Sequence, residues 1–264
     1  MKLIIIIRIW ETAALTARTL KLIDILSKSS VEPNYLFTNQ LLYNKIGNIK
    51  KLVKTMGEKI IILGSGGHGK VVKEIAEACG YEVIGFVGDN KPVGTKILDK
   101  KVLCRIEDIG TLKSETLNLA VAVGANTVRE KRAKQVLEMG FVTPALVHPS
   151  CIFSKSAEVG MGTVIMAGTV VNSEAYIGDF CIINTGATVD HDCRVGDFCH
   201  ISPGANLGGE VTIRDYTWVG VGAAVRECIT IGKNVMIGGS AFVACDIEDN
   251  VTAVGVPAKV MKRD

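Results

Sequence analysis

The triplet Asp190-His191-Asp192 holds the residue types that move protons. Histidine titrates near neutrality, so it can take the proton that an amine or hydroxyl must lose as it attacks an acyl group. A neighbouring carboxylate can accept from the second ring nitrogen, which fixes the tautomer and raises basicity. Asp192 is the first candidate for that partner and Asp190 competes with it. The plain alternative is a solvated histidine at a turn. A second element of interest is the run Gly64-Ser65-Gly66-Gly67-His68-Gly69. Glycines let a backbone approach phosphate, and a helix that follows supplies amide donors and the positive end of its dipole. Its plain alternative is a tight structural turn.

The elements that position these residues are legible in two periodicities. From Val159 to Val243 an apolar, mostly branched residue returns at every sixth position, through Ile165, Ile183, Val189, Ile201 and Val219. Val147 and Phe153 extend the series backwards. Two residues before each stands a mostly small one, such as Ala187, Cys193 or Ala205. Residues i and i−2 of a strand share a face. Each hexad therefore turns one large and one small group inward, and three hexads close a triangular coil of eighteen residues, a parallel β-helix. Glycine often follows the large residue, as at Gly178 and Gly196, where the backbone nears a turn. The phase puts His191 at an outward corner, because it lies two residues after Val189, and turns His200 outward from a strand. The plain alternative for His200 is a surface residue of that strand. The pattern is unbroken from Val147 to Val243, so no long loop is extruded there.

The Gly-rich run sits in an α/β region. Lys59 to Leu63 reads as a buried parallel strand and Val71 to Cys79 as a helix. Glu82 to Val87 reads as a second strand, ending at Gly88-Asp89, where a carboxylate can accept from a ribose or a base. A strand over 119–124 and a helix over 127–139 follow. The division is thus residues 1–57, a segment read as appended or mis-started; 58–146, a Rossmann-like nucleotide-binding domain; and 147–264, the β-helix with a C-terminal tail. No Ser/Pro-rich linker separates the last two, so they are expected to pack tightly. About ninety residues is one βαβ-type half, better sized for a mononucleotide than for NAD.

Composition narrows the function. A net charge of +3 with 22% charged residues is too balanced to imply a nucleic-acid partner. The apolar run at Met1–Ile7 is broken by Arg8 and is too short to span a bilayer. Eight cysteines raise a zinc or disulfide reading, but there is no Cys-x-x-Cys pair. Cys181, Cys193 and Cys199 occupy the small inward slot and Cys151 shares their phase, so they read as buried thiols of a reducing cytosol, with no metal.

Six segments together resemble the NeuD/PglD-type sugar O-/N-acetyltransferases of the hexapeptide-repeat class. They are the 64–69 run, Val-Gly-Ala-Asn-Thr-Val-Arg-Glu-Lys at 123–131, His-Pro-Ser at 148–150, Asp-His-Asp-Cys at 190–193, His-Ile-Ser-Pro-Gly-Ala at 200–205 and Val-Gly-Val-Pro-Ala-Lys at 254–259. The resemblance covers residues 58–264 and implies a left-handed β-helix that binds acetyl-CoA behind a domain that binds a UDP-sugar. It implies His191 as general base with Asp192 as its partner, and His200, Val221 and Gly239 as acetyl-CoA contacts. Gly66, Gly67, His68, Asp89 and Gly124 would contact the nucleotide sugar. One departure is Gly88, where the family often has an acid beside the one matching Asp89. The implied reaction is direct N-acetylation of a UDP-linked amino sugar for surface glycan synthesis, in the cytoplasm. O-acetylation of a sialic acid or another sugar is the close alternative, and a non-catalytic nucleotide-sugar-binding scaffold is the alternative of another class. His191 and His200 differ by nine residues, one and a half hexads, so they lie on opposite sides of one coil. A site that uses both lies between subunits, in keeping with the homotrimer the resemblance implies. Lys259 and Lys262 are further candidates to meet CoA phosphates.

Overall fold

The computed structural model describes residues 57–263, so the segment read as appended lies outside the described residues except for Gly57. The first region holds β1 (Lys59–Leu63), α1 (Gly67–Ala78), β2 (Glu82–Val87), β3 (Lys96–Ile97), β4 (Lys100–Cys104), β5 (Leu119–Val121) and α2 (Asn126–Glu138). Its sheet has the order β3-β4-β2-β1-β5. β1 is central and parallel to both β2 and β5, which is why Lys59–Leu63 reads as one apolar run. α1 starts four residues earlier than its apolar pattern suggests, because the extended Gly66 caps it directly after the turn. β5 ends at Val121, earlier than expected. The carbonyls of Val123 and Gly124, beyond its end, accept instead from the Arg129 side chain.

From Leu146 onward the chain forms a left-handed β-helix of two-residue strands. Up to the last coil, which is two residues shorter, each pairs in parallel with the strand eighteen residues later, as in Val170↔Thr188, Tyr176↔Arg194 and Ile182↔His200. Three flat faces result. The first runs through Ile182–Ile183, His200–Ile201 and Trp218–Val219; the second through Val170–Val171 and Thr188–Val189; the third through Tyr176–Ile177 and Arg194–Val195. Both registers point inward as the periodicity demands. Ile183, Val189, Ile201 and Val219 are fully buried, and so are Ala187, Cys193, Cys199 and Ala205 in the small slot. Burying each Val or Ile contributes roughly 2 kcal/mol. The inward thiols are held in place. Cys181, Cys193 and Cys199 approach the carbonyls of Gly196, Gly208 and Arg214 at 3.0, 3.0 and 3.2 Å.

The corners refine the expectation for glycine. The glycine after the large residue has ordinary φ; it is glycine because the next coil crowds it. A Cβ on Gly178 would meet the backbone of Gly196 at 2.9 Å. The left-handed position comes two residues later and recurs every six, with Glu174, Phe180, Asp192, Phe198 and Glu210 among its occupants at φ between 51° and 60°.

The α/β region covers the first face. Leu146, Val164, Met166 and Ile182 of the β-helix share one apolar cluster with Ile60, Ile62, Ala120 and Ala122. α2 lies against a ladder of Phe180, Phe198 and Tyr216, whose rings stack at 5.5 Å. The tail does not simply leave the coil. Val251–Val254 continues the first face beside Met236–Ile237, and Lys259–Arg263 folds back on it antiparallel.

Candidate active site

His191 lies in the turn between the second and third faces. Its Nδ1 is 2.8 Å from Oδ2 of Asp192. The left-handed backbone of Asp192, φ 59°, is the regular corner conformation of the coil, and Asp is among the residues that tolerate it. Asp190 serves differently: its Oδ1 accepts from the His191 backbone N–H at 2.8 Å and from Asn172 Nδ2 at 2.7 Å. The choice between the two acids thus falls to Asp192 for the ring and Asp190 for the main chain. The hydrogen bond to Asp192, then the charges of Asp190 and Asp192, raise the His191 pKa above its ordinary value. The hydrogen bond from Asn172 holds the Asp190 carboxyl below its own. The imidazole lies across Gly209, one coil on. His191 is exposed, with its Nε2 beside Gly209.

The Gly-rich turn divides by role. A Cβ on Gly64 would stand 3.0 Å from the carbonyl carbon of Ala122, and one on Gly69 3.0 Å from that of Gly64, so both glycines are required by close packing. Gly66 and Gly67 face open space, and α1 begins there with no side-chain cap on its amides. That is the arrangement an anion needs. Gly88 sits against the buried Ser65 hydroxyl, which a Cβ would approach to 2.9 Å, so an acid at this position has no room. Asp89 is exposed at the end of β2, its Oδ1 taking the Ile106 N–H at 3.2 Å with Arg105 at 3.6 Å, while Arg132 lies 4.0 Å from Oδ2. Gly124 lends its carbonyl to Arg129 at 2.7 Å.

His200 does point outward from its strand, but it is not a surface residue. The α/β region leaves it 8% exposed. Its ring stacks on Trp218 at 4.5 Å and its Nε2 is 3.1 Å from Asn184 Nδ2. Burial, then the Arg129 cation and His68, push its pKa down to about 3. His68 is pushed down to about 4, by burial and then Arg129. Arg129 is itself buried and joins the two regions. Its guanidinium donates to the carbonyls of Phe180, Phe198 and Cys199 in the β-helix, and to Val123, Gly124 and Asn126 beside it.

Val221 and Gly239 are both exposed and adjacent on the corner between the first and second faces, the Ser240 N–H reaching the Val221 carbonyl at 2.8 Å. His191 occupies a different corner, so one chain does not bring these residues together. Lys259 is exposed, and the side chain of Lys262 lies outside what is described. Among the described residues no group of three His, Cys, Asp or Glu is placed to hold a metal, and no helix is long and apolar enough to cross a membrane. Gly209, Asn172, Asn184 and Trp218 were not singled out by motif. Each stands one coil, or close to one, from a residue that was, and the eighteen-residue repeat is the signal that finds them.

Residues 59–136 match the family described as the PglD N-terminal domain, and residues 174–209 match the bacterial transferase hexapeptide family of six repeats. The UDP-N-acetylbacillosamine N-acetyltransferase of Bacillus subtilis (strain 168) is 40% identical over 116 residues, 42% of this chain and 52% of that protein. The match thus spans about half the length of that curated relative. A structure of a point mutant of perosamine N-acetyltransferase from Caulobacter crescentus, in complex with CoA and GDP-perosamine, is 38% identical with a TM-score of 0.74, covering 77% of this chain and 97% of that one. The acetyltransferase domain of PglB from Neisseria gonorrhoeae FA1090, in complex with acetyl coenzyme A, is 39% identical with a TM-score of 0.73, covering 78% and 100%.

Proposed function

The chain belongs to the NeuD/PglD-type sugar acetyltransferases of the hexapeptide-repeat class, and within that family we propose that it N-acetylates a UDP-linked 4-amino sugar from acetyl-CoA by direct transfer. The observation that carries this reading is the exposed His191 imidazole, hydrogen-bonded through Nδ1 to Asp192. An Nδ1–H donated to that carboxylate makes Nε2 the acceptor. As the sugar amine attacks the thioester carbon, Nε2 takes its proton and Asp192 balances the imidazolium. Collapse of the tetrahedral adduct expels the CoA thiolate, which His191 can reprotonate. The open Gly66-Gly67 turn, the amides of α1 and Asp89 support binding of the nucleotide sugar, with His68 and Gly124 beside them. His200, Val221 and Gly239 are the acetyl-CoA side of the reading. Because Val221 and Gly239 share one corner and His191 takes another, we assign the site to the junction of two subunits in a homotrimer.

The test is thiol release from acetyl-CoA with UDP-4-amino sugars, their GDP counterparts and free sialic acid, wild type beside His191→Ala. Release with a UDP-amino sugar, lost in the variant, is the expected outcome. Release with the GDP sugars alone changes the nucleotide, and release with sialic acid alone moves the chemistry to O-acetylation.

A further inference from the structure

The corner that carries His191 is tied to the coils on either side. Asp190 donates its N–H to the Leu207 carbonyl at 3.2 Å and Asp192 donates to that of Ser173 at 3.0 Å, while the His191 carbonyl accepts from the Glu210 N–H at 2.9 Å. This ladder does not serve the His191 N–H. The equivalent N–H groups of neighbouring coils, those of Ser173, Gly209 and Glu227, have no acceptor among the described residues. Of the four, His191 alone has one: Oδ1 of Asp190, at 2.8 Å. The same oxygen takes Asn172 Nδ2 at 2.7 Å. An ionised carboxylate only accepts, so the Asn172 group that meets it is the NH₂. Asn172 stands one coil before Asp190 because Val171 pairs with Val189, and its own N–H is fixed on the Val189 carbonyl at 2.9 Å. Ser154, Asn172, Gly208 and Arg226 occupy the position of Asp190 in other coils, so an acid stands there only beside the histidine.

We propose that Asn172 and Asp190 are a positioning pair for His191: Asn172 holds the carboxylate, and the carboxylate pins the peptide N–H whose plane sets the direction of the His191 side chain. The corner is thereby fixed before a substrate arrives, with the imidazole across Gly209 and Nδ1 on Asp192. Both residues act through the main chain of His191. A misdirected base loses rate steeply while ground-state binding is untouched. This kinetic half of the inference rests on His191 being the base, as in the reading above; the peptide half does not.

Amide hydrogen exchange of the full-length protein reads the peptide half without any substrate. Relative to intrinsic rates, the His191 N–H should exchange about tenfold or more slowly than those of Ser173, Gly209 and Glu227. Asn172→Ala and Asp190→Ala should each erase most of that protection. Asp190→Asn keeps an oxygen for both donors and should retain it. Kinetics read the other half. Asn172→Ala should lower kcat about tenfold, with the KM for nucleotide sugar and for acetyl-CoA within a few-fold, and should cost nothing more in the Asp190→Ala background. Asp190→Asn should lower kcat only a few-fold and move the midpoint of the pH profile down, because Asp190, Asp192 and Glu210 are the carboxylates whose charges face the ring. An unprotected His191 N–H overturns the inference. An Asn172→Ala loss of equal size in wild type and in Asp190→Ala also overturns it, since Asn172 then acts without Asp190. Asp190→Asn as damaging as Asp190→Ala does the same, since charge alone then matters. Protection lost in Asn172→Ala with kcat unchanged overturns the kinetic half. A wild-type enzyme that acetylates no amino sugar overturns the functional reading instead, and leaves the exchange result standing.

Discussion

A Cβ added to Gly209 would stand 2.6 Å from Nε2 of His191, the nitrogen that accepts the proton in the proposed reaction. The two residues are eighteen apart and therefore stacked on one corner of the β-helix. Gly209 has no left-handed backbone, so its smallness serves the imidazole above it rather than its own conformation. Gly209→Ala should rotate the ring away from its working position and lower kcat by about tenfold or more. The melting temperature should stay within a few degrees, because the imidazole is exposed. Steady-state kinetics beside thermal unfolding check this; an unchanged kcat would refute it.

The pH–rate profile should report His191. Its pKa is raised, chiefly by the hydrogen bond to Asp192, and a base works only when unprotonated. kcat/KM should therefore rise with pH through a midpoint above the ordinary histidine value. Asp192→Asn removes the charge and leaves at most a weaker neutral hydrogen bond, so the midpoint should move down while the plateau falls. A midpoint that moves up, or does not move, contradicts the pairing.

Arg129→Met should destabilise the fold without touching the corner that holds His191. The guanidinium is 1% exposed and serves acceptors on both sides of the junction. Methionine leaves those oxygens buried and unpaired, a loss of about 3 kcal/mol or more. Urea denaturation measures it. Arg129→Lys should recover little, since an ammonium group cannot reach carbonyls spread over so wide a fork.

Acid should unfold this protein partly through His68 and His200. Both are held neutral, with folded values of about 4 and about 3 against an ordinary value near 6.5. Below 6.5 the unfolded chain binds protons that the folded chain refuses, so stability is present above that pH and drains as pH falls towards 4. Each group contributes up to about 1.4 kcal/mol per pH unit across the window. His200→Gln should flatten the slope of urea midpoint against pH, and an unaltered slope would show that the ring is not buried neutral.

Fold and chemistry were legible to different depths. The hexad register of Val147 to Val243 had only one geometric solution, because alternating large and small residues at a period of six cannot be satisfied by a helix or a flat sheet. The same phase placed His191 at a corner and His200 on the opposite side, and the triplet at 190–192 put an imidazole beside the carboxylate that it meets in the structure. The burial of His200 was not legible. Its outward phase is a property of the coil alone, whereas its covering comes from a domain more than sixty residues earlier. Arg129 lay within a quoted motif but showed no role, since its partners Phe180, Phe198 and Cys199 are fifty to seventy residues away.

What the sequence by itself determined, then, is the architecture of the β-helix and the candidate for the proton-transfer group, because both depend on local spacing. Only the tertiary structure decided which acid meets the His191 ring, that Gly209 makes room for it, and that Asn184, Trp218 and Arg129 surround His200. Those relations depend on which residues the winding brings together across coils and across the domain junction. No local pattern encodes such distances.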